Sequence, residues 1–314
     1  MDFMNNNQSV VKVSVFMLAY NHEKYIEQAI ESILNQKVDF QYEVVIGEDC
    51  SKDRTREICI DYQKKYPDVI RLILHEENVG IYENVRSVYD ACKGVYVAHL
   101  EGDDYWNDRH KLQKQVEFLD RHPEYSACVH NSYMLNYING KKRKLSSHKK
   151  DYDISMEELI QWHNVFQTSS LVFRGYLSKN KPEFAQGISG IGDYPTALWL
   201  GLNGKIHYMN DVLSTYRFNV PGSWSSSNIT QEQIKHNEDR VIKMLLIFND
   251  YTQKKYQEAV NKRIDRMTIG RYSRENDIKT LREIGVKKII SVCGMKGLMG
   301  IILHNVLVGL NMHN

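Results

Sequence analysis

Proline is scarce, five residues in 314, and no Pro-rich stretch is available to act as a linker. Cysteine is equally sparse and poorly arranged for cross-linking. Cys50, Cys59, Cys92, Cys128 and Cys293 form an odd set with no C-x-x-C pair and no His cluster at zinc spacing, which excludes a disulfide scaffold and a structural zinc centre. Reduced thiols and a cytoplasmic location are therefore expected. No run of 18 apolar residues occurs, so a multi-span channel or an intramembrane enzyme is excluded. Residues 1–9 are polar and Asn-rich, without the charged start and apolar stretch of a signal peptide. Neither a G-x-G-x-x-G after a strand nor a G-x-x-x-x-G-K-[ST] is present, so a Rossmann dinucleotide site and a P-loop are unsupported.

A large charge excess is also missing. Lys and Arg number 41 against 39 Asp and Glu, a net charge of +2, which argues against a nucleic-acid-coating protein. The balance is uneven along the chain, however. Residues 141–150 hold six basic and no acidic side chains, and residues 254–288 hold 11 basic and five acidic ones, so each stretch carries +6 and the remainder carries −10. An acidic body with two basic segments open to an anionic surface is the expectation. Hydrophobic residues at 42% and charged residues at 25% are those of an ordinary folded chain, long enough for one large domain or two modest ones.

The first 130 residues alternate between two periods. Residues 11–18, 43–46, 69–74 and 95–100 read as strands. Between them, Tyr25, Ile26, Ala29, Ile30, Ile33 and Leu34 fall on one helical stripe, and helices are expected at about 53–66, at 82–92 and around Leu112, Val116 and Leu119. This alternation predicts an α/β fold with a mostly parallel, Rossmann-like central sheet and helices on both faces. Residues 132–154 read as a polar, Lys-rich exposed loop. Beyond it a short helix is expected at 156–162, a strand at 170–173, a Gly-rich turn at 187–192, an apolar helix at 194–202 and a longer helix at 231–251.

In a parallel sheet of this kind the carboxyl ends of the strands share one edge, where ligands bind. Three segments follow strands there: Ala19-Tyr20-Asn21, Glu48-Asp49-Cys50-Ser51 and Glu101-Gly102-Asp103-Asp104. Five carboxylates at one edge repel one another unless a cation or a donor-rich ligand lies among them. All-oxygen ligands favour Mg²⁺ or Mn²⁺, which take one or two carboxylates plus substrate phosphates. Capping is the alternative for single acids, and Asp53 is well placed as an N-cap.

The residues then carry a resemblance. Y-N-x-x-x-Y-I-x-x-A-I-x-S-I-L-x-Q over residues 20–36, E-D-C-S-K-D-R-T over 48–55, N-V-G at 78–80 with Asn84, E-G-D-D-Y-W over 101–106, G-D-Y-P over 192–195 and Y-R-F-N-V-P-G-S-W-S over 216–225 resemble family 2 of the nucleotide-sugar glycosyltransferases. The likeness covers about residues 10–226. It implies an inverting enzyme of the A-type glycosyltransferase fold and a nucleotide-sugar donor bound by Ala19, Tyr20, Asn21, Glu48, Asp49, Asn78, Gly80, Asn84, Glu101, Asp103, Arg217 and Trp224. Tyr20 would lie against the base and Asp49 would accept from its imide N–H, which favours a uridine diphosphate. Asp103 and Asp104 would be near Mn²⁺ or Mg²⁺, and Asp193 would be the catalytic base.

Departures from the family pattern are visible. Cys50 stands where the D-D-G-S element has glycine, Gly192 precedes Asp193 where an acid is usual, and no Q-x-x-R-W element is present. The last point favours transfer of a single sugar over processive synthesis.

The resemblance thus implies a catalytic domain at 1–226, with a nucleotide-binding part at about 10–130 and an acceptor part at about 155–226, followed by a helical extension at 227–314. The expected acceptor is a glycan or lipid-linked oligosaccharide of surface polysaccharide synthesis, with no nucleic-acid partner. The apolar run at 298–310 spans roughly 20 Å as a helix, too short to cross a bilayer. It either packs on the body or touches an anionic membrane from the cytoplasmic side. Another metal-dependent nucleotide-sugar enzyme, such as a nucleotidyltransferase, and a catalytically idle nucleotide-sugar-binding module are the competing readings.

Overall fold

The β-branched runs near the start of the chain are buried on both faces, as parallel strands under helices must be. In the computed structural model, which describes residues 10–162, 165–186, 192–221, 223, 226 and 230–311, they become β1 (Val13–Ala19), β2 (Tyr42–Glu48), β3 (Ile70–Leu74) and β4 (Tyr96–His99). The intervening helices are α1 (Ile26–Leu34), α2 (Thr55–Lys65) and α3 (Gly80–Ala91). The two-residue β5 (Tyr105–Trp106), α4 (Lys111–Arg121), β6 (Tyr125–Asn136), β7 (Lys142–Lys144), β8 (Tyr152–Ile154), α5 (Met156–Gln161) and β9 (Val172–Arg174) follow. The chain continues with α6 (Asp193–Leu202), β10 (Lys205–Phe218), α7 (Gln231–Tyr251), α8 (Gln257–Arg274), α9 (Ile278–Ile284) and α10 (Val286–Asn311).

These strands form one sheet in the order β3-β2-β1-β4-β9-β6-β10-β5, with β7 alongside β6 and β8 alongside β10. β1 to β4 pair parallel, and so do β6 and β10. The antiparallel β9 lies between β4 and β6, which keeps β6 and β10 running in the same direction as β4. All the long strands therefore end at one edge. Period-2 alternation divides the core in two. Phe16, Val45, Val97 and Val129 pack on one face with α3, α5, α6 and α7, whereas Val15, Val44, Ile46, Ala98 and Cys128 pack on the other with α1, α2 and α4.

The expected exposed loop at 132–154 is corrected by this sheet. Ser132 to Asn136 prolong β6, β7 returns against it as a hairpin, and β8 pairs with β10. Polar residues at buried positions concealed the strands. Asn131 bonds to Ser146 through Nδ2, which donates to its carbonyl at 3.0 Å, and the Ser132 and Ser214 hydroxyls meet at 2.8 Å. The expected turn at 187–192 lies outside the described residues apart from Gly192.

At the carboxyl end, α7 starts on a reciprocal cap in which Thr230 Oγ1 accepts from Gln233 N–H at 3.2 Å and Gln233 Oε1 accepts from Thr230 N–H at 3.1 Å. Val241, Leu245 and Phe248 of α7 and Val260 of α8 join the core under α6. α10 is broken at Gly294, whose φ of 72° a residue with a Cβ would resist. Among the described residues no helix is long and apolar enough to cross a membrane.

Candidate active site

The first wall of the site is the paired turns after β1 and β2. Asn21 and Cys50 both have φ near 56°, a left-handed conformation that Asn tolerates better than most residues. The turns are tied together: Asn21 Oδ1 accepts from Lys52 N–H at 2.8 Å and Asn21 N–H donates to Ser51 Oγ at 3.0 Å. Glu48 is fully buried; it accepts from Ser51 N–H at 2.7 Å and pairs with Arg56. That carboxylate braces the turn. Ala19 is buried beside it, whereas Tyr20 keeps 38% of its surface exposed.

Asp49 holds the third strand connection. Its Oδ1 accepts from Val79 N–H at 2.8 Å and its Oδ2 from Gly80 N–H at 3.0 Å, so the carboxylate satisfies orphan donors at the start of α3. Asn78 Nδ2 donates to the Asp49 carbonyl at 3.1 Å, and Asn84 Nδ2 donates to the Gly47 carbonyl at 3.0 Å. The structure thus brings Asp49, Asn78, Gly80 and Asn84 together. Each oxygen of Asp49 keeps a second lone-pair direction for a ligand N–H.

The second wall is the acidic turn after β4. Gly102 is needed here because a Cβ would lie 2.6 Å from His22 Nδ1. Asp104 is buried, and its Oδ1 accepts from Arg217 N–H at 2.9 Å. Arg217 reaches from the end of β10 to donate to the Asp103 carbonyl and to Gln28 Oε1. Its guanidinium lies 4.7 Å from the Tyr105 ring centroid and 5.1 Å from that of Tyr25. Trp106 Nε1 donates to the Ser169 carbonyl at 2.9 Å and fixes the far end of the turn.

Asp193 begins α6, where the helix N-terminus favours a carboxylate. Its Oδ1 accepts from Tyr194 N–H at 2.8 Å, and Tyr194 Oη donates to the Ile160 carbonyl at 2.6 Å. Asp193 reaches solvent. The protein packed around it nevertheless disfavours its charged form and raises its pKa. Burial, then the Asp103 and Asp193 charges, push Glu101 up to about 8. Burial first and Asp103 next hold Asp104 well above the carboxylate range. Behind this turn Lys181 Nζ donates to Thr196 Oγ1 at 3.3 Å and sits 4.2 Å over the Tyr89 ring, where burial lowers it to about 8.

Glu101, Asp103, Asp104, Asp193 and Arg217 are therefore gathered at the carboxyl edge. Trp224 lies outside the described residues. His22, Gln28 and Lys181 escaped the sequence reading, and Tyr25 entered it only as part of a helical stripe. Tyr25 and Gln28 stand one helical turn apart, and only the approach of Arg217 shows what that spacing serves.

A cation suits this edge. Three acids crowd here, and burial followed by their mutual repulsion makes Glu101 and Asp104 harder to ionise, so the edge is short of positive potential. Among the described residues no group of three or more His, Cys, Asp or Glu side chains is placed to hold a metal. An Mg²⁺-type ion takes one or two carboxylates and completes its shell with phosphate oxygens and water. Of the two carboxylates expected near a metal, Asp103 is the more accessible, because Asp104 is buried and turned into Arg217 N–H.

Comparison with known proteins agrees with this geometry. The chain is 33% identical over 215 residues to an uncharacterized protein of Mycobacterium tuberculosis, covering 68% of this chain and 61% of that one, so the match spans less than two thirds of that relative's length. It is 27% identical over 266 residues to the chondroitin synthase of Escherichia coli, covering 83% of this chain and 34% of that one. Among solved structures, residues 1–349 of Staphylococcus aureus TarS in complex with UDP-GlcNAc superpose with a TM-score of 0.61 at 20% identity, covering 94% of this chain and 81% of that one. The mannosyltransferase PcManGT of Pyrobaculum calidifontis, in complex with GDP-Man and Mn²⁺, gives 0.55 at 15% identity over 94% and 87% of the two chains. The expected A-type fold is thereby established. The profile of glycosyl transferase family 2 matches residues 14–180, more than half the chain and inclusive of the Asp49 and Asp103 turns, and the chain accordingly belongs to that family of glycosyltransferases.

Proposed function

We propose that this glycosyltransferase moves one sugar, with inversion, from a uridine diphosphate sugar to a hydroxyl of a glycan or lipid-linked acceptor in surface polysaccharide synthesis. The observation that carries the reading is the approach of Asp193 to the Glu101–Asp104 turn, close enough for its charge to raise the cost of ionising Glu101. In this reading residues 1–226 form the catalytic part and 227–314 a helical extension. Tyr20 lines the base, Asp49 accepts from its imide N–H, and Asn78, Gly80 and Asn84 hold that turn in shape. Glu48 serves by bracing it.

The reaction needs two acid functions with opposite tasks. Asp193, ionised, takes the proton of the acceptor hydroxyl as its oxygen bonds to the anomeric carbon, and the bond from that carbon to the diphosphate oxygen breaks on the opposite face. General-base help of this kind contributes about 10²–10⁴-fold. A Mg²⁺ or Mn²⁺ ion held by Asp103, with Asp104 behind it, would offset the charge on the departing diphosphate. Arg217 holds the turn that presents Asp103, which is a positioning role.

The test is release of nucleoside diphosphate from a panel of nucleotide sugars with Mn²⁺. Asp193→Asn is expected to lose about 10²–10⁴-fold in kcat while keeping nucleotide affinity, and Asp103→Asn to lose metal-dependent nucleotide affinity. Full transfer by Asp193→Asn overturns the base assignment. Peripheral contact with the cytoplasmic membrane face belongs to the same proposal. Met295, Met299, Ile302 and Leu303 are exposed on α10 near Lys287, Lys288 and Lys296, whereas Leu298 and Ile301 pack inward. Salt-sensitive binding to anionic liposomes is expected, and no binding would refute it.

A further inference from the structure

The two basic stretches differ in the fold, because only the second has ion-paired cations among the described residues. In the second, Arg271 pairs with Glu238 and Asp239, Arg274 with Glu238, and Lys288 with Asp265. In the first, none of the six cations between Lys141 and Lys150 has an ion-pair partner among the described residues, and all six are exposed. Like charges crowded on a hairpin repel one another. Six unpaired cations in ten residues leave a strong local positive potential beside an acidic catalytic edge.

That hairpin forms a wall of a cavity of about 430 Å³. Arg143 and His148 line it from the basic segment, with His130, Tyr152, Trp162 and Phe166 around them. Among the described residues Glu158 is the one acid of the lining, and it accepts from Tyr152 Oη at 2.9 Å. His130 is 1% exposed and its Nε2 has no hydrogen-bond partner. Its Nδ1 lies 2.8 Å from the Asn131 carbonyl, which can only accept. The proton of the neutral ring is therefore on Nδ1, and Nε2 is an unused acceptor for a hydroxyl.

Chain neighbours of the lining residues touch both halves of the active site. Lys142 Nζ stands 4.4 Å from the Tyr133 ring and 6.0 Å from the ring of Tyr105, which follows Asp104. On the other side the Ile160 carbonyl, two residues before Trp162, accepts from Tyr194 Oη next to Asp193. Rings flanked by cations suit a sugar chain that carries negative charge. Aromatic faces take the apolar side of a pyranose, and the cations take its anions.

Resting on the glycosyltransferase reading, we propose that this cavity is the acceptor subsite and that its occupant is an anionic glycan, bearing carboxylates or phosphodiesters along its length. The unpaired hairpin cations steer it and Trp162 stacks one of its rings. The donor's diphosphate is served by the Asp103 side of the cleft.

Calorimetric titration of the full chain with tetragalacturonate, a glycerol-phosphate tetramer and neutral maltotetraose tests this and separates the two anion sources. At least one anionic probe should bind ten-fold or more tighter than maltotetraose, and its affinity should fall with salt. Arg143→Ala with Lys144→Ala should weaken that probe about ten-fold, leaving maltotetraose and UDP unchanged. Trp162→Ala should weaken all the glycans by about the same factor. Equal binding of charged and neutral probes overturns the proposal. So does a loss of UDP affinity in the double variant, or its loss of binding to phosphatidylglycerol vesicles without any effect on glycans. The donor reading fails separately, if the wild-type chain with Mn²⁺ binds no nucleoside diphosphate while the glycan results stand.

Discussion

Replacing Glu101 by Gln keeps the shape of the acidic turn and removes one ionisable group from it. The native carboxyl titrates at about 8 against 4.5 for the ordinary group. Between those values the folded protein holds a proton that the unfolded chain has released. Folding stability is thus fully present below about pH 4.5 and is lost as pH rises through about 8. At about 1.4 kcal/mol per pH unit the gap gives a ceiling of about 5 kcal/mol at pH 8. Glu101 is only half-buried, and solvent screening brings the expected figure to about 2–3 kcal/mol.

Urea unfolding of wild type and Glu101→Gln in EDTA, at several pH values from 4.5 to 8.5, reads this directly. The curves should meet near pH 4.5 and separate with rising pH, with the variant more stable by about 2–3 kcal/mol at the upper end. Saturating Mn²⁺ should narrow the separation, because a cation near Asp103 compensates the charge that Glu101 gains. Two curves that stay parallel in EDTA would refute the account of this cluster as a store of unfavourable carboxylate charge.

Burial raises Asp193, and a base must be ionised, so kcat/KM should climb with pH through a pKa above the ordinary aspartate value; a flat profile across pH 4–7 would contradict the role given to Asp193. A Cβ at residue 47 would fall well inside contact of Asn84 Oδ1 and 2.5 Å from Val88 Cγ2. Gly47→Ala should therefore destabilise by about 1–3 kcal/mol in thermal or urea unfolding, and an unchanged midpoint would contradict this packing. Asp49→Ala removes the acceptor of Val79 and Gly80 N–H, with an expected cost of about 1–2 kcal/mol together with weaker UDP binding in calorimetry.

The sequence by itself determined the alternating strands and helices of the first 130 residues, the helix at 231–251 and the three acidic or polar turns at the strand ends. Those signals are local, since they rest on period and on residue type next to a strand. What they could not carry was the second half of the sheet. β6 and β10 bury Ser126, His130, Asn131, Ser132, Ser214 and Thr215, and these look like loop residues until their partners in distant strands are known. The site divides in the same way. Asp103 and Asp193 were legible as acids at turns. Only the fold shows Glu48 occupied by Arg56, Asp49 by the start of α3, and Arg217 threaded between Tyr25 and Tyr105. Charge gives the sharpest case. Two stretches of equal +6 are indistinguishable in sequence, because pairing depends on what folds against them. Tertiary packing paired Arg271 and Arg274 of the second with α7 and left the first without ion pairs among the described residues, beside the cavity.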